Sequence, residues 1–406
     1  MKKLQLPKRH NYEQLLEAIG FIYHDLVAGN EALPYWDEGR VYGFRESEID
    51  FIQESTQELH DMCLAMVAHM VKSGDYPKYF GLSDLDMFAI EQSWKREDPS
   101  LMGRFDLVYH ANSKSIKMLE YNGDTPVSLL EASIAQWDYI REVEGLDERL
   151  RIQYNLLHEQ LIATWKRLYS PLDTIHFAQE GDYQSEDWCN VAYLAETAYA
   201  AGLLVKEIRM GDVGWSADNR FVDLEYLEIN NIYKLYPWEW MFKQKFGANV
   251  VKSQTRWLEP AWKALLSNKA MLVKLWELNP NHPLLLEAVT EKDISFKKGL
   301  WARKNIHGRE GSNVYQYDAD AKNVILASGS HLVADYDQWG YIYQRWHDLP
   351  VYDGYRPILG SWVIGDTACG MSVREDANLV TGHSALFASH FFVPEELEGQ
   401  FTHLTD

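Results

Sequence analysis

Two short stretches of the sequence have the pattern of a β-hairpin that carries charge. Polar and apolar residues alternate in Gly103–Tyr109 and again in Ser115–Asn122, and the residues between them, His110–Lys114, have the composition of a turn. Successive side chains of a strand point to opposite faces, so the pairing register decides which polar groups meet on one face.

A turn centred on Ser113 predicts a cluster of oxygen ligands on one face of this hairpin. The predicted partners are Asp106 with Glu120, Arg104 with Asn122, and Val108 with Met118. Two carboxylates directly opposite each other repel. A hard divalent cation such as Mg²⁺ takes oxygen ligands and would remove that cost. A solvated hairpin face with an arginine–carboxylate pair is the alternative.

Basic residues further along the chain are candidates for phosphate contacts. They are Lys269, Lys304, Arg309 and Arg374. Lys304 directly follows the predicted strand Gly299–Arg303, and Arg309 lies in the next loop between Gly308 and Gly311. Such loops let backbone N–H groups approach phosphate oxygens while basic side chains neutralise charge. The spacing is neither that of a Walker A motif nor that of a Rossmann motif. An ordinary turn, or a surface salt bridge for Arg374, would explain these residues equally well.

The charge of the chain argues against a nucleic-acid partner. The 406 residues have a formal net charge of −21, and no lysine- or arginine-rich tract supplies the positive charge that nucleic-acid binding needs. The balance is compatible with a small cationic substrate such as a polyamine. A charge that serves only solubility is the alternative.

Cysteine usage and hydropathy predict a cytoplasmic protein without a membrane partner. Cys63, Cys189 and Cys369 show neither metal-ligand spacing nor a disulfide framework, which fits a reducing compartment. The basic segment Met1–Arg9 lacks the apolar core of a signal peptide. No apolar run reaches the roughly 18 residues of a membrane span.

The secondary structure that positions these residues is predicted to be mixed. Residues 11–75 and 127–170 read as helical, most clearly Glu48–Val71. An α/β unit and then helices around 261–279 follow. The unit consists of strand Thr174–Ala178, helix Val191–Ala201 and strand Leu203–Met210; the later predicted strands are Gly299–Arg303, Val324–Ala327, Gly340–Arg345, Ile358–Ile364 and Gly370–Arg374. The absence of repeats and flexible linkers predicts tightly joined lobes.

Ordered motifs between about residues 20 and 393 resemble the synthetase domain of the glutathionylspermidine synthase family. The matching segments are Arg104–Asp106, Glu120–Pro126, Lys234–Trp240, Trp257–Lys263, Ser267–Lys269, Pro280–Pro283, Gly308–Asn313, Gly360–Trp362 and Arg374–Asp376. So many motifs in one order make the resemblance specific. The chain looks most similar to short bacterial homologues described as acid–amine ligases.

This resemblance implies an α/β (α+β) fold of the circularly permuted ATP-grasp kind, in which the metal-binding hairpin precedes the nucleotide-binding lysines. Residues 1–260 would form the pre-ATP-grasp and helical region, including the hairpin at 103–122. Residues 261–393 would form the nucleotide-binding lobes. The amidase domain of the full-length synthases is expected to be absent.

The resemblance also implies a role for each candidate residue. Asp106, Glu120 and Asn122 would hold Mg²⁺; Lys269, Lys304, Arg309 and Gln344 would bind ATP; Arg104 and Arg374 would face the acyl phosphate and the tetrahedral species; and Thr125, Glu131 and Glu186 would bind the substrates. Two departures from the family pattern concern Asn305, expected to loosen the nucleotide loop in place of proline, and Val127, expected to alter the glutathione site.

Glu131 has an independent argument from its position. It lies on a predicted inward helical stripe, where an unpaired carboxylate is costly. A cationic ligand would offset that cost, and so would a buried partner such as an arginine.

Together these features predict an ATP- and Mg²⁺-dependent acid–amine ligase with small-molecule substrates. It would join a glutathione-like or peptide carboxylate to an amine, such as a polyamine, through an acyl phosphate. No nucleophilic side chain is needed, and no Ser-His-Asp or Cys-His motif is found. Two alternatives remain: a non-catalytic ATP-grasp protein that binds ATP, peptide or polyamine, and a phosphotransferase that omits the amine step.

Overall fold

Helices and strands alternate along the chain in the computed structural model, which describes residues 1–28, 31–309, 311–325, 338–382, 385–401 and 404. The α-helices are α1 (Tyr12–Ala18), α2 (Glu46–Ser73), α3 (Asp84–Lys95), α4 (Gln136–Glu142), α5 (Leu157–Leu168), α6 (Glu186–Ala200), α7 (Trp238–Met241), α8 (Ala264–Ser267), α9 (Met271–Leu278) and α10 (Glu398–Phe401). A π-helical turn, Glu131–Ala135, leads directly into α4.

The strands fall into three larger sheets and two short ribbons. They are β1 (Lys2–Gln5), β2 (Asp25–Ala28), β3 (Glu31–Pro34), β4 (Trp36–Arg45), β5 (Met102–His110), β6 (Ser115–Asn122), β7 (Thr174–Gln179), β8 (Leu204–Arg209), β9 (Gly214–Trp215), β10 (Phe221–Val222), β11 (Asn231–Lys234), β12 (Arg256–Leu258), β13 (Ala288–Thr290), β14 (Leu300–Asn305), β15 (Val314–Asp318), β16 (Asn323–Ile325), β17 (Tyr341–Arg345), β18 (Arg356–Ile364), β19 (Thr367–Asp376) and β20 (Leu386–Val393).

The largest sheet joins the two ends of the chain. Its strand order is β1-β4-β20-β19-β18-β5-β6, so the carboxylate-bearing hairpin β5–β6 pairs with strands from the C-terminal part. A four-stranded parallel sheet has the order β12-β11-β7-β8, and a five-stranded antiparallel sheet has the order β13-β17-β14-β15-β16. The largest sheet takes strands from both sides of residue 260. The division into two regions at this residue stays a prediction.

Apolar residues cover both faces of the seven-stranded sheet. Helix α2 packs against β4, β18 and β19, and its buried Ile52, Leu59 and Met66 belong to one core cluster. Tyr139 of α4 and Leu157 of α5 belong to a second large cluster. A sheet buried on both faces is a rigid support for the side chains at its edge.

Most of the predicted elements are confirmed. The helix predicted at Glu48–Val71 lies within α2, and the predicted α/β unit corresponds to β7, α6 and β8. The late strands are also present, although residues 326 and 327 of the strand predicted at Val324–Ala327 lie outside the described residues. The mixed α/β class is therefore confirmed.

The helical prediction for residues 11–75 is wrong for β4. This strand is almost continuously buried, because it pairs with β1 on one side and with the distant β20 on the other. A central strand that is buried on both faces shows no clear alternation of polar and apolar residues. In addition, β20 lies more than 300 residues away from β4 in the chain. Among the residues that the model describes, no helix is long and apolar enough to cross a membrane.

A buried ion pair fixes the segment that follows the hairpin. The Lys234 ammonium donates to Asp124 Oδ1 at 2.6 Å, and both side chains are fully buried. The other oxygen of Asp124 accepts a hydrogen bond from the Trp238 backbone N–H at 2.9 Å. Removal of one partner would leave an uncompensated charge in the interior, which is strongly destabilising.

We therefore expect Asp124→Ala to lower the free energy of unfolding by about 3–5 kcal/mol. The measurement is a urea titration followed by circular dichroism. Glu225→Ala breaks the exposed Lys206–Glu225 contact and should leave the unfolding curve almost unchanged. Equal effects of the two substitutions would contradict a special role for the buried pair.

Candidate active site

A cavity of about 490 Å³ lies where the three larger sheets meet. Strands β5 and β6 contribute one wall, and β14 and β17 of the five-stranded sheet contribute another. The third wall comes from residues that follow the carboxyl ends of β7 and β11 in the parallel sheet, the edge at which open parallel sheets usually bind ligands.

The polar end of the hairpin has the predicted register. Asp106 pairs with Glu120, and Arg104 pairs with Asn122. All four side chains line the cavity. The two carboxylates are therefore neighbours on adjacent strands, and their mutual repulsion has to be offset by positive charge.

A β-bulge changes the register at the other end of the hairpin. Leu107 pairs with Met118, which leaves Leu119 as the extra residue. The predicted pairing of Val108 with Met118 is wrong, because a bulge sets two residues of one strand against one of its partner; Val108 pairs with Lys117 instead. As a result Leu119 also lines the cavity.

Two arginines hold Asp106. Arg104 Nε donates to Asp106 Oδ1 at 3.1 Å, and an Arg374 Nη donates to Oδ2 at 3.1 Å. Arg104 also donates to the Val127 carbonyl at 2.6 Å. Burial by itself would lower the pKa of Arg374, but the charge of Asp106 raises the pKa above its usual value. Contacts with Asp106 therefore hold the guanidinium groups of Arg104 and Arg374 at the cavity wall.

Two lysines from distant parts of the chain offset the charge of Glu120. The Lys269 ammonium lies 2.9 Å from Glu120 Oε2. Burial opposes ionisation of Glu120, yet attraction to Lys269 and Lys304 outweighs it and lowers the pKa of this carboxyl to about 2. Burial lowers the pKa of Lys304 to about 8, in spite of the opposing attraction of Glu120. A lysine with such a pKa is mostly protonated at neutral pH and loses its charge as the pH rises above about 8.

Lys304 and Gln344 join the five-stranded sheet to the hairpin. Lys304 Nζ donates to the Leu119 carbonyl at 2.9 Å and to Gln344 Oε1 at 2.7 Å. Gln344 Nε2 donates to the Met118 carbonyl at 3.0 Å. The carbonyls of Met118 and Leu119 at the bulge therefore accept hydrogen bonds from side chains of β14 and β17. As a result the predicted nucleotide-binding residues lie beside the predicted metal-binding residues.

The glycine-containing loop after β14 is held from two sides. Lys269 Nζ donates to the Gly308 carbonyl at 2.6 Å, and Arg309 forms an ion pair with the buried carboxylate of Glu239 on α7. Arg309 and Gly311 line the cavity. Residue 310, part of the predicted motif, lies outside the described residues.

Acidic residues line the side of the cavity formed by the parallel sheet. Glu186, in the first turn of α6, lines this side together with Glu180 and Asp187, which had no predicted role. The substrate-binding role of Glu186 stays a prediction. Thr125 lies on the same lining. This wall carries the charge that a cationic ligand would need.

Glu131 lies outside the cavity lining, in the adjoining core. Its side chain is fully buried, as the inward stripe predicted, and its Oε1 accepts a hydrogen bond from the Tyr35 hydroxyl at 2.7 Å. Burial raises the pKa of Glu131, with weaker opposing effects from its hydrogen bonds. The buried hydrogen-bond partner of Glu131 is therefore a tyrosine. Glu131 is not among the residues that line the cavity, and its predicted contact with the amine stays a prediction.

The other predicted residues converge. Ten line the cavity: Arg104, Asp106, Glu120, Asn122, Thr125, Glu186, Lys304, Arg309, Gln344 and Arg374. Lys269 reaches the group through Glu120. Glu239 and Trp240 had no predicted role, although both belong to the motif Lys234–Trp240 that carried the resemblance. Across the described ranges, no three His, Cys, Asp and Glu side chains form a metal cluster.

Comparison with known proteins decides the family. The family model described as glutathionylspermidine synthase preATP-grasp matches residues 3–393. The chain belongs to the glutathionylspermidine synthase family. A Haemophilus influenzae protein provisionally named an acid–amine ligase is 42% identical over 392 residues, which are 96% of this chain and 98% of that protein.

More distant members and a solved structure extend the comparison. Trypanothione synthetase of Crithidia fasciculata is 27% identical over 355 residues, covering 82% of this chain but 53% of that protein. The chain thus spans about half the length of that relative. A solved glutathione synthetase-like effector of Globodera pallida superposes with a TM-score of 0.56 at 10% identity, covering 95% of this chain and 98% of that chain. This likeness shows that the fold is of the ATP-grasp type. The family and the ligases among its relatives show that this member of the glutathionylspermidine synthase family is an enzyme of the ligase class.

The two departures from the glutathionylspermidine synthase family pattern have structural consequences. Asn305 is fully buried; its Nδ2 donates to the Gly340 carbonyl at 3.1 Å and its Oδ1 accepts from the His307 backbone N–H at 3.0 Å. The amide of Asn305 therefore braces the turn, and the expectation of a looser loop stays a prediction. Val127 lines the cavity. Arg104 donates to the backbone carbonyl of Val127, a contact that does not depend on the type of side chain at this position.

The lowered pKa of Glu120 predicts a pH-dependent contribution to stability. A carboxyl whose pKa falls to about 2 on folding stabilises the fold fully above its unfolded pKa, and this contribution is lost as the pH falls from about 4.5 towards 2. Wild-type stability should therefore fall more steeply than that of Glu120→Gln between pH 5 and pH 3. Urea unfolding at several pH values measures this, and parallel pH profiles would exclude the charged pairing with Lys269.

Proposed function

We propose that the chain is an ATP- and Mg²⁺-dependent acid–amine ligase that forms an amide bond through an acyl phosphate. The observation that carries this proposal is the convergence, in one cavity, of oxygen ligands on the hairpin with basic side chains from the downstream strands. Such a set provides charge compensation for a nucleotide triphosphate and its metal.

The donor set at the hairpin fits a magnesium ion. Asp106, Glu120 and Asn122 offer carboxylate and amide oxygens on adjacent strands, and Mg²⁺ is typically held by one or two carboxylates together with phosphate oxygens and water. Bound there, the ion would neutralise charge on the β- and γ-phosphates. Lys304 and Lys269 would contact the same phosphates, since Lys269 Nζ lies 2.9 Å from Glu120 Oε2 and Lys304 Nζ lies at the Leu119 carbonyl next to it in the hairpin.

The chemistry requires positive charge at the acyl centre. The acid carboxylate attacks the γ-phosphorus of ATP and ADP leaves; the amine then attacks the acyl carbon and phosphate leaves. Arg104 and Arg374, held on Asp106 at 3.1 Å, would offset the negative charge that develops in both steps. No side chain has to act as a nucleophile.

The acidic wall is suited to the amine. Glu186, with Glu180 and Asp187, would hold the ammonium groups of a di- or polyamine, because a desolvated ammonium requires a paired carboxylate. An amine with a pKa near 10 must lose a proton before it attacks, and a carboxylate of this wall can accept it. The acid would be a glutathione-like or peptide carboxylate, in contact with Thr125 and Val127. The three buried free cysteines suit an enzyme that works in the cytoplasm.

Glu120→Ala should abolish ADP formation while the fold is kept, because it removes a metal ligand and leaves Lys269 without its carboxylate. ADP release is measured across a matrix of acids and amines with Mg²⁺–ATP, and mass spectrometry identifies the amide product. The exposed Glu228→Ala serves as the control and should turn over normally. Unchanged turnover in Glu120→Ala would overturn the metal assignment, and ADP without any amide product would indicate a phosphotransferase.

Lys304 should make nucleotide affinity depend on pH. Its pKa of about 8 means that its charge, and with it part of the affinity for ATP, is lost as the pH rises from 7 to 9. Calorimetry should show weaker ATP binding at pH 9 than at pH 7 in the wild type. Lys304→Arg should remove this dependence and keep the affinity, whereas Lys304→Met should bind weakly at both pH values. A change confined to the amine KM would place Lys304 at the other substrate.

A further inference from the structure

Residues of the motif Lys234–Trp240 line the cavity, and no step assigned above uses the acidic residue of this motif. Lys234 anchors one end of the motif to Asp124. At the other end Glu239 lies on the one-turn helix α7, is 9% exposed, and directs its carboxylate towards the loop after β14. The motif therefore contacts the segment after the metal hairpin and the nucleotide loop at the same time.

The carboxylate of Glu239 is committed to Arg309. One Nη of Arg309 donates to Glu239 Oε1, and the other donates to the His307 carbonyl at 3.3 Å. The indole ring of Trp240 lies 5.5 Å from the guanidinium carbon. Burial opposes ionisation of Glu239, but Arg309 outweighs it and lowers the pKa of Glu239, so the pair is charged on both sides.

This ion pair is expected to persist when a phosphate binds. If Arg309 left Glu239, a buried carboxylate would lose its main counter-charge, and uncompensated buried charges are strongly destabilising. A guanidinium group has five N–H donors in a rigid fork, so Arg309 can keep Glu239 and still donate to a ligand. Its side chain is 28% exposed and lines the cavity.

We propose that Glu239 is a positioning residue, which fixes the guanidinium group of Arg309 at the cavity wall, where it contacts the phosphates of the bound nucleotide. This inference rests on the proposed function, since it takes Arg309 as a phosphate contact. Glu239 itself does not line the cavity and would act through Arg309. The opposite anchor, Lys269 on the Gly308 carbonyl, fixes the other end of the same turn and connects it with Glu120.

A double-mutant cycle tests this dependence. The dissociation constant of Mg²⁺–ATP is measured by calorimetry for the wild type, Glu239→Ala, Arg309→Ala and the double variant. Glu239→Ala should weaken binding about tenfold and Arg309→Ala by at least as much. The double variant should bind like Arg309→Ala within about twofold, because the carboxylate has nothing left to position. Glu239→Gln should recover part of the loss, since its amide oxygen still accepts from Arg309.

The control cycle uses Arg220 and Glu228, an exposed pair at 3.1 Å that does not line the cavity; all of its variants should bind ATP like the wild type. Thermal unfolding checks the fold, and if Glu239→Ala is unfolded the cycle is run with Glu239→Gln. Losses that multiply in the double variant would overturn the positioning role and leave the proposed function intact. Wild-type affinity in Arg309→Ala would remove the phosphate contact and this inference with it, while no ATP binding by the wild type would overturn the proposed function.

Discussion

The repulsion between Asp106 and Glu120 is the constraint on which the architecture of the cavity depends. The hairpin places these carboxylates opposite each other, and nearby like charges are tolerated only when opposite charges surround them. The compensation comes from distant segments: Arg374 on β19 contacts Asp106, and Lys269 after α8 contacts Glu120. Strand β19 and the segment after α8 must therefore lie at the hairpin for the charges of Asp106 and Glu120 to be compensated.

Buried ion pairs around the site set the geometry of its walls. Lys263 pairs with Glu259 at 2.8 Å and donates to the Met102 carbonyl at the start of β5. The ion pair of Lys234 with Asp124 fixes the segment that follows β6. Buried pairs of this kind contribute little net stability compared with apolar packing, but either partner alone is costly. They consequently act as constraints on how the hairpin and the neighbouring segments can be arranged, which suits a site that must hold several charges in fixed positions.

The distribution of charge within the cavity divides it into two halves that suit an acid–amine ligase. Basic groups gather at the hairpin and the five-stranded sheet, where Lys304 and Arg309 line the cavity, while Glu186 and its acidic neighbours occupy the parallel-sheet side. Anionic phosphates and a cationic amine would be attracted to opposite walls. Their reacting atoms would then meet between them, near Arg104 and Arg374. The overall charge of −21 alone could not predict this separation.

The sequence by itself determined the features that depend on neighbours in the chain. Alternation and turn composition gave the hairpin and the pairing of Asp106 with Glu120, since both are properties of a short segment. The ordered motifs identified the family, and the resemblance that they carry led to ten residues that line the cavity. Tertiary structure decided the bulge at Leu119, whose carbonyl accepts a hydrogen bond from Lys304 of another sheet. It also decided which carboxylates face the cavity: Glu131 is sealed in the core against Tyr35, while Glu180 joins the lining. The reason is that alternation within one strand or helix specifies a face but not what packs against it, and that partner comes from residues far away in the chain.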